Sequence, residues 1–171
     1  MTGNNKETQQ GGPAPAANPP PDSPEVITLP PFIFLGFYVI GYISDRAFPT
    51  DFGTVYGRYV AGGLMLAISA ALVVWSVACF VRAKTHVDVR KPATSLITDG
   101  PYRLSRNPIY LAMVLFYAGF AVVFSLSITL GLLVPCLALL HYGVISREET
   151  YLNRIFGDDY RAYKAKVRRW I

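Results

Sequence analysis

Charge is what this chain lacks over its longest stretches. Acidic and basic residues make up 16% of 171 positions, against roughly 25% in an ordinary soluble domain. Residues 107–146 run through forty positions without one Asp, Glu, Lys or Arg. Because none of the long apolar runs carries such a residue, ion-coupled transport and channel activity are disfavoured, since those functions usually keep a costly charge inside the membrane. Cysteine and histidine are scarce too. Cys79 and Cys136 each stand in an apolar run, where a free thiol behaves as a small hydrophobe and a disulfide has no reason to form. His86 and His141 lie far apart with no cysteine beside either, so no metal site is expected. The first residues lack the basic, apolar, then small-residue order of a secretory signal, and insertion should rest on the internal apolar runs.

What is present is hydrophobic residue, 52% of the chain, concentrated in three uncharged runs at 26–44, 59–81 and 107–146. At ~1.5 Å per residue the last run would make ~60 Å of helix, about twice the ~30 Å hydrocarbon core of a bilayer, so it must cross twice as a hairpin. The expected fold is therefore all-α, a polytopic membrane helical bundle with spans at about 32–44, 59–81, 109–124 and 128–145. A cytoplasmic amphipathic helix at 147–171 caps it. Residues 1–29, rich in Pro and Gly, are expected to be a disordered cytoplasmic tail ahead of one membrane domain at 30–171. Thirteen of the sixteen Lys and Arg fall in 82–106 and 147–171, whereas the link between the first two spans carries only Asp45, Arg46, Asp51 and Arg58. The positive-inside rule then puts both termini in the cytoplasm, and a bacterial plasma membrane is the expected location. The net charge of +5 sits where spans end, which suits anionic lipid headgroups and not nucleic acid.

Local signals sharpen this picture. Pro30 and Pro31 suit the first turn of a helix, and Asn107-Pro108 reads as a cap followed by proline at the first helical position. Gly63, Ala67 and Ala71 recur every fourth residue and predict an inward, close-packing face on the second span. Residues 82–99 read as a loop with a turn. The C-terminal helix is expected to break at Gly157-Asp158-Asp159.

The hairpin brings its two charged ends to one membrane surface, so Tyr102, Arg103, Arg106, Asn107 and Tyr110 should meet Arg147, Glu148 and Glu149. Arginine offers a forked donor for a carboxylate, and glutamate accepts from an ammonium or from ribose hydroxyls, so a zwitterionic ligand suits the site. On a regular helix His141 and Glu148, seven apart, share a face and Glu149 is turned by roughly a quarter circle. Blander readings stand beside these: a solvated salt-bridge run of the glutamates with Arg147 and Arg154, and a hydrogen-bonded interfacial His141.

Gly100-Pro101-Tyr102-Arg103, Arg106-Asn107-Pro108-Ile109-Tyr110, Arg147-Glu148-Glu149 with Leu152, and Phe156-Gly157-Asp158-Asp159-Tyr160 with Tyr163 carry a resemblance in order and spacing. Over about residues 80–171 the chain resembles the isoprenylcysteine carboxyl methyltransferase and phospholipid methyltransferase family. Asn107 stands where many members have histidine, and Ala112 where a glycine is frequent. The resemblance implies a small helical membrane enzyme with an S-adenosylmethionine pocket on the cytoplasmic side, under a C-terminal cap. It implies Tyr102, Arg106, Asn107, Tyr110, Glu148 and Glu149 as pocket residues, with His141 at the membrane-facing edge and Tyr160 or Tyr163 closing the lid. Arg106 is the expected partner of the cofactor carboxylate, and Glu148 or Glu149 that of its ribose or ammonium; Arg106, Glu149 and His141 are the candidate catalytic residues.

The expected activity is methyl transfer from S-adenosylmethionine to a lipophilic or lipid-borne carboxylate, thiol or amine that enters from the bilayer. An activated methyl asks chiefly for alignment and exclusion of water. An amine acceptor must also lose a proton, for which His141 is the expected base. Two alternatives are an NADPH-dependent membrane reductase of related fold and a non-catalytic membrane scaffold.

Overall fold

The computed structural model describes residues 28–84 and 95–171; most of the expected tail, together with His86 and Pro92, lies outside them. Among the described residues every regular element is helical: α1 Pro30–Ala47, α2 Val55–Arg82, a 3-10 turn Gly100–Arg103, α3 Pro108–Val123, α4 Ser127–Leu140, a π turn His141–Ile145 and α5 Ser146–Lys166. α2 and the continuous run Ser127–Lys166 are long and apolar enough to cross a membrane, while Pro108–Val123 is apolar but shorter. Phe32, Leu35, Ile40 and Ile43 on α1 and Leu64, Ile68 and Val74 on α2 are exposed, an apolar outer surface of the kind a bilayer covers. The fold is an all-helical membrane bundle.

α3 is the central element, packed on α2, α1 and α4. Its contact with α2 is closest where Gly62 meets Gly119: a Cβ at Gly62 would come within 2.5 Å of Val123 Cγ2 and 2.8 Å of the Gly119 carbonyl. Seven and fourteen residues further along α2 lie Ser69 and Ser76, both buried, with Ser69 Oγ donating to the Ala112 carbonyl at 2.7 Å. This corrects the expected inward face. Gly63, Ala67 and Ala71 are exposed, because the stripe that faces α3 is set by Gly62, Ser69, Ser76 and Cys79, about one residue out of phase with the four-residue repeat.

α1 begins on Pro30 and Pro31 as their missing amide protons favour, and runs past the expected end of its span to Ala47. That extension matters, because Asp45 is not in an external link but in the last turn of α1, buried against α4. Its carboxylate accepts from Ile128 N at 2.9 Å, Thr129 N at 2.8 Å and Thr129 Oγ1 at 2.6 Å. A carboxylate on the free amides of a helix N-terminus is a favourable cap, so this charge is consumed by structure. At the same end, Phe52 N donates to Ser125 Oγ, Ser125 Oγ in turn to Asp51, and Asp51 pairs with Arg58, tying the α1–α2 link to the α3–α4 turn.

At the opposite end α4 runs into α5 without a break in the chain of helical bonds. The Ser146 amide reaches back to the His141 carbonyl, five residues away, which is the mark of a π turn. α5 then kinks at Gly157, whose φ of 51° and ψ of −120° are accessible to glycine alone, as the expected break required. Beyond α5 the chain extends at Val167 and runs as a short strap across residues 105–107: Arg106 N donates to the Arg168 carbonyl at 3.0 Å, and Ser105 Oγ and Asn107 Nδ2 donate to the Arg169 carbonyl at 3.2 and 3.0 Å. Trp170 packs against the core cluster that includes Tyr110 and Leu140. Asn107 thus stands at the cap position of α3, but its side chain caps nothing and holds the strap instead.

Candidate functional site

The hairpin returns α5 to the start of α3, and residues forty apart in sequence come into contact. Arg106 Nη1 lies 2.9 Å from Glu149 Oε1, and Tyr110 donates its hydroxyl proton to Glu148 Oε2 at 2.8 Å. Gly100 prepares this junction. Its φ of 59°, and a Cβ position 2.9 Å from both Cys79 Sγ and Trp75 Nε1, admit no side chain. The turn that follows lays Tyr102 edge-on against Phe80, ring centroids 5.8 Å apart, and leaves it buried.

Between these elements lies a cavity of about 250 Å³, the polar chamber, whose wall is mainly apolar but carries the polar groups of Arg106, Asn107 and Glu148. Its walls include Pro30 and Pro31 from α1, Phe80 from α2, Tyr102, Arg106, Asn107, Tyr110 and Met113 around the start of α3, and Glu148 from α5. Of the residues expected to line a pocket, five therefore converge: Tyr102, Arg106, Asn107, Tyr110 and Glu148. Arg106 is largely buried, and its buried Nε and Nη1 have no hydrogen-bond acceptor; the approach to Glu149 satisfies charge but not the direction of an N–H bond. Two buried donors left without an acceptor are costly.

The two adjacent glutamates face different surroundings. Burial, with the charge of Glu149 adding to it and the Tyr110 hydrogen bond partly offsetting it, raises the Glu148 carboxyl to about 7. Glu149 is opposed by burial as well, but the hydrogen bonds from Arg169 and the charges of Arg106, Arg169 and Lys164 outweigh burial and hold it below the ordinary carboxylate range. Arg169 Nε and Nη2 reach Glu149 Oε1 and Oε2 at 2.9 and 2.7 Å, a two-pronged grip, while Nη1 lies 3.0 Å from His141 Nε2.

Arg169 was not singled out by motif or spacing, although it organises Glu149. As one of seven cations in the last twenty-five residues it has no distinguishing local signal. His141 and Glu149, not His141 and Glu148, share a partner and hence a face. The π turn explains this, since a turn with one extra residue rotates everything beyond it by about one position. His141 is accordingly turned to the strap and is not among the residues lining the cavity. Tyr160 and Tyr163 are likewise buried in a cluster behind Tyr102 with Cys79, and Tyr163 donates to the Tyr102 carbonyl at 2.7 Å; they fasten the kinked end of α5 to the bundle.

Beside the polar cavity is a second, apolar one of about 530 Å³ between α1, α2 and α3. Phe34, Tyr38, Ser69, Val73, Ala112, Phe116, Tyr117 and Phe120 line it, and it shares Pro31 and Met113 with the polar cavity.

A helical membrane bundle in which a small chamber carrying Arg106 and Glu148 adjoins an apolar groove between α1, α2 and α3 defines the class: an integral membrane protein with a polar and an apolar cavity side by side. Comparison with known proteins supplies the family. The phospholipid methyltransferase family model matches residues 57–159, more than half of the chain, and the chain belongs to that family. An uncharacterized protein of Haemophilus influenzae is 70% identical over 27 residues, which are 16% of this chain and 43% of that relative. The chain therefore spans less than half the length of this curated relative. No solved structure matches it.

Proposed function

We propose that the protein transfers a methyl group from S-adenosylmethionine to a membrane-partitioned acceptor, an amine, carboxylate or thiol on a lipid-like molecule, at the cytoplasmic face. The observation that carries this reading is the pair of buried Arg106 donors without an acceptor, in one chamber with the Glu148 carboxylate. They fit the amino-acid end of such a donor: Arg106 takes the carboxylate as a charge-assisted fork, and Glu148 accepts from the ammonium or from ribose hydroxyls. At about 250 Å³ the chamber falls below the ~300–1,000 Å³ of drug-sized ligand sites. Admission of a nucleoside ligand therefore goes with displacement of wall residues, of which Pro31 at the tip of α1 is exposed. The cytoplasmic assignment rests on the basic residues clustered at this end.

The bound cofactor supplies a methyl on a positively charged sulfur. The residues of this chain then have three tasks. Arg106 would hold the donor's carboxylate in the polar chamber, which meets the apolar groove at Pro31 and Met113. The groove takes the acceptor's hydrocarbon and excludes water, so that attack occurs in line and hydrolysis does not compete. For an amine acceptor, Glu148 would take up the proton that the nitrogen must lose for its lone pair to be free for methylation. Glu148 lines the chamber and stands near neutrality, at about 7, and so replaces His141 as the base in this reading.

Titration of the purified protein in detergent with S-adenosylmethionine, its demethylated product and NADPH tests the proposal. The first two should bind and NADPH should not. Arg106→Ala should weaken cofactor binding by about tenfold or more, as expected for loss of a charge-assisted fork. Binding of NADPH alone would make the protein a reductase, and binding of none of the three would leave a scaffold.

A further inference from the structure

Glu149 touches the polar chamber only through Arg106 and itself faces another compartment. On the side away from the polar chamber, α5 and the C-terminal strap enclose an open recess of about 540 Å³, with Glu149, Asn153, Arg161, Lys164 and Arg169 on its sides. Nothing in the methyl-transfer reading uses it. Its lining carries three cations and one carboxylate: Glu149 is approached by Lys164, Arg169 and, from the chamber side, Arg106, while Arg161 pairs with Asp158 at the rim.

The cations differ in what they have left to give. Arg169 is committed to Glu149 and His141 and forms the back of the recess. Lys164 Nζ stands 3.8 Å from Glu149 Oε2, which is electrostatic contact but beyond hydrogen-bond reach, and 5.8 Å over the Tyr160 ring. Arg161 places Nε and Nη2 at 3.0 and 2.6 Å from a single oxygen of Asp158. Arg161 and Asp158 are both strongly exposed, and such a pair costs little to open. Two long side chains with donors to offer thus lean over a recess whose one negative group is already neutralised.

We propose that this recess is a binding site for a phosphate-bearing anion, a monoester or diester held by Arg161 and Lys164 in front of Arg169. A tetrahedral phosphate presents several acceptor oxygens to donors that converge from different directions, which suits separate ammonium and guanidinium groups better than a flat carboxylate does. A recess of about 540 Å³ also has room for the organic part of the ester. The site stands independently of the cofactor assignment.

The test is a titration of inorganic phosphate into the full-length protein in a non-ionic detergent at low salt, read by phosphorus NMR line broadening. The wild type should broaden the signal saturably. Arg161→Gln/Lys164→Gln, which alters only exposed side chains, should raise the dissociation constant by about tenfold or more, whereas Arg106→Ala, whose side chain does not line the recess, should change it far less. Two competitors then identify the source of the ester. Displacement of phosphate by dihexanoyl phosphatidylglycerol, but not by glycerol 3-phosphate, assigns a lipid headgroup; displacement by glycerol 3-phosphate assigns a soluble ester. Absence of saturable broadening in the wild type, equal broadening in the double variant, or loss of binding in Arg106→Ala alone overturns the proposal, the last because it moves the anion into the polar chamber.

Discussion

Glu148 and Glu149 are the same side chain one peptide bond apart, yet Glu148 is pushed up to about 7 and Glu149 is held down, because only Glu149 faces the arginines. The consequence for stability can be signed. Below the ordinary 4.5 both folded and unfolded chains carry the Glu148 proton; between 4.5 and about 7 the unfolded chain releases it while the folded chain keeps it, so stability falls as pH rises through that window. The full shift corresponds to about 3 kcal/mol lost by pH 8. Glu148→Gln keeps an acceptor for the Tyr110 hydroxyl and has no proton to lose, so its unfolding midpoint in detergent should exceed that of the wild type at pH 8, with the advantage gone at pH 4.5. Parallel pH profiles for the two proteins would remove Glu148 as the titrating group. Arg169→Ala acts in the opposite sense on its neighbour. With the two-pronged grip at 2.9 and 2.7 Å gone, Glu149 draws on Arg106 and the more distant Lys164, so cofactor affinity should fall by about tenfold and stability by about 3 kcal/mol. Isothermal titration and a detergent melt on the same sample separate the two effects, and an unchanged affinity would show that Arg106 does not depend on the strap.

At the level of elements, the register of α2 on α3 is set by two glycines. Gly62→Ala would force a Cβ to within 2.5 Å of Val123 Cγ2 and 2.8 Å of the Gly119 carbonyl, an overpacking that should cost about 1–3 kcal/mol. Gly63→Ala, one residue on, meets nothing within 4 Å and should be neutral or stabilising by up to about 1 kcal/mol, since alanine is the better helix former. Comparable losses in both variants, measured as detergent unfolding midpoints, would contradict the observed register. The contrast also shows what a sequence can and cannot reveal. The apolar runs, the proline starts at Pro30 and Pro108, the break at Gly157 and the convergence of residues 102–110 with Glu148 and Glu149 were legible, because length, proline geometry and hairpin closure act locally or by simple reach. The inward face of α2 was not, because two small-residue stripes one position apart look alike until Gly119 selects one. Nor was the phase of His141, which a single π turn shifts, nor the role of Asp45, whose partners at Ile128 and Thr129 are more than eighty residues away. The strap was hidden for a similar reason: the Arg169 carbonyl is held by Ser105 and Asn107 across the whole second half of the chain.

For the whole molecule, the helical hairpin commits the chain to an orientation that experiment can read. If α3 and α4 cross and return, the turn Gly100–Arg103 and the cap α5 emerge on one side, and the α1–α2 link emerges on the other with the α3–α4 turn to which Asp51 and Ser125 bind it. Three exposed positions sample these surfaces: Arg103 and Asp158 at the basic end, with side chains 74% and 95% exposed, and Tyr56 at the opposite end, 80% exposed. Cys79 and Cys136 are buried, so they contribute little background to thiol labelling. Single Arg103→Cys, Asp158→Cys and Tyr56→Cys variants should therefore divide cleanly with a membrane-impermeant maleimide. Tyr56→Cys should react in spheroplasts, while Arg103→Cys and Asp158→Cys should react only in inverted vesicles, where the basic surface faces the reagent. The physical reason is a single one: thirteen of sixteen cations lie in the two segments that the hairpin brings together, so no orientation that separates them across the bilayer also allows Arg106 to reach Glu149. Labelling of Arg103→Cys and Asp158→Cys from opposite sides would break the hairpin, and with it the polar chamber, the recess behind Glu149 and every role assigned to them.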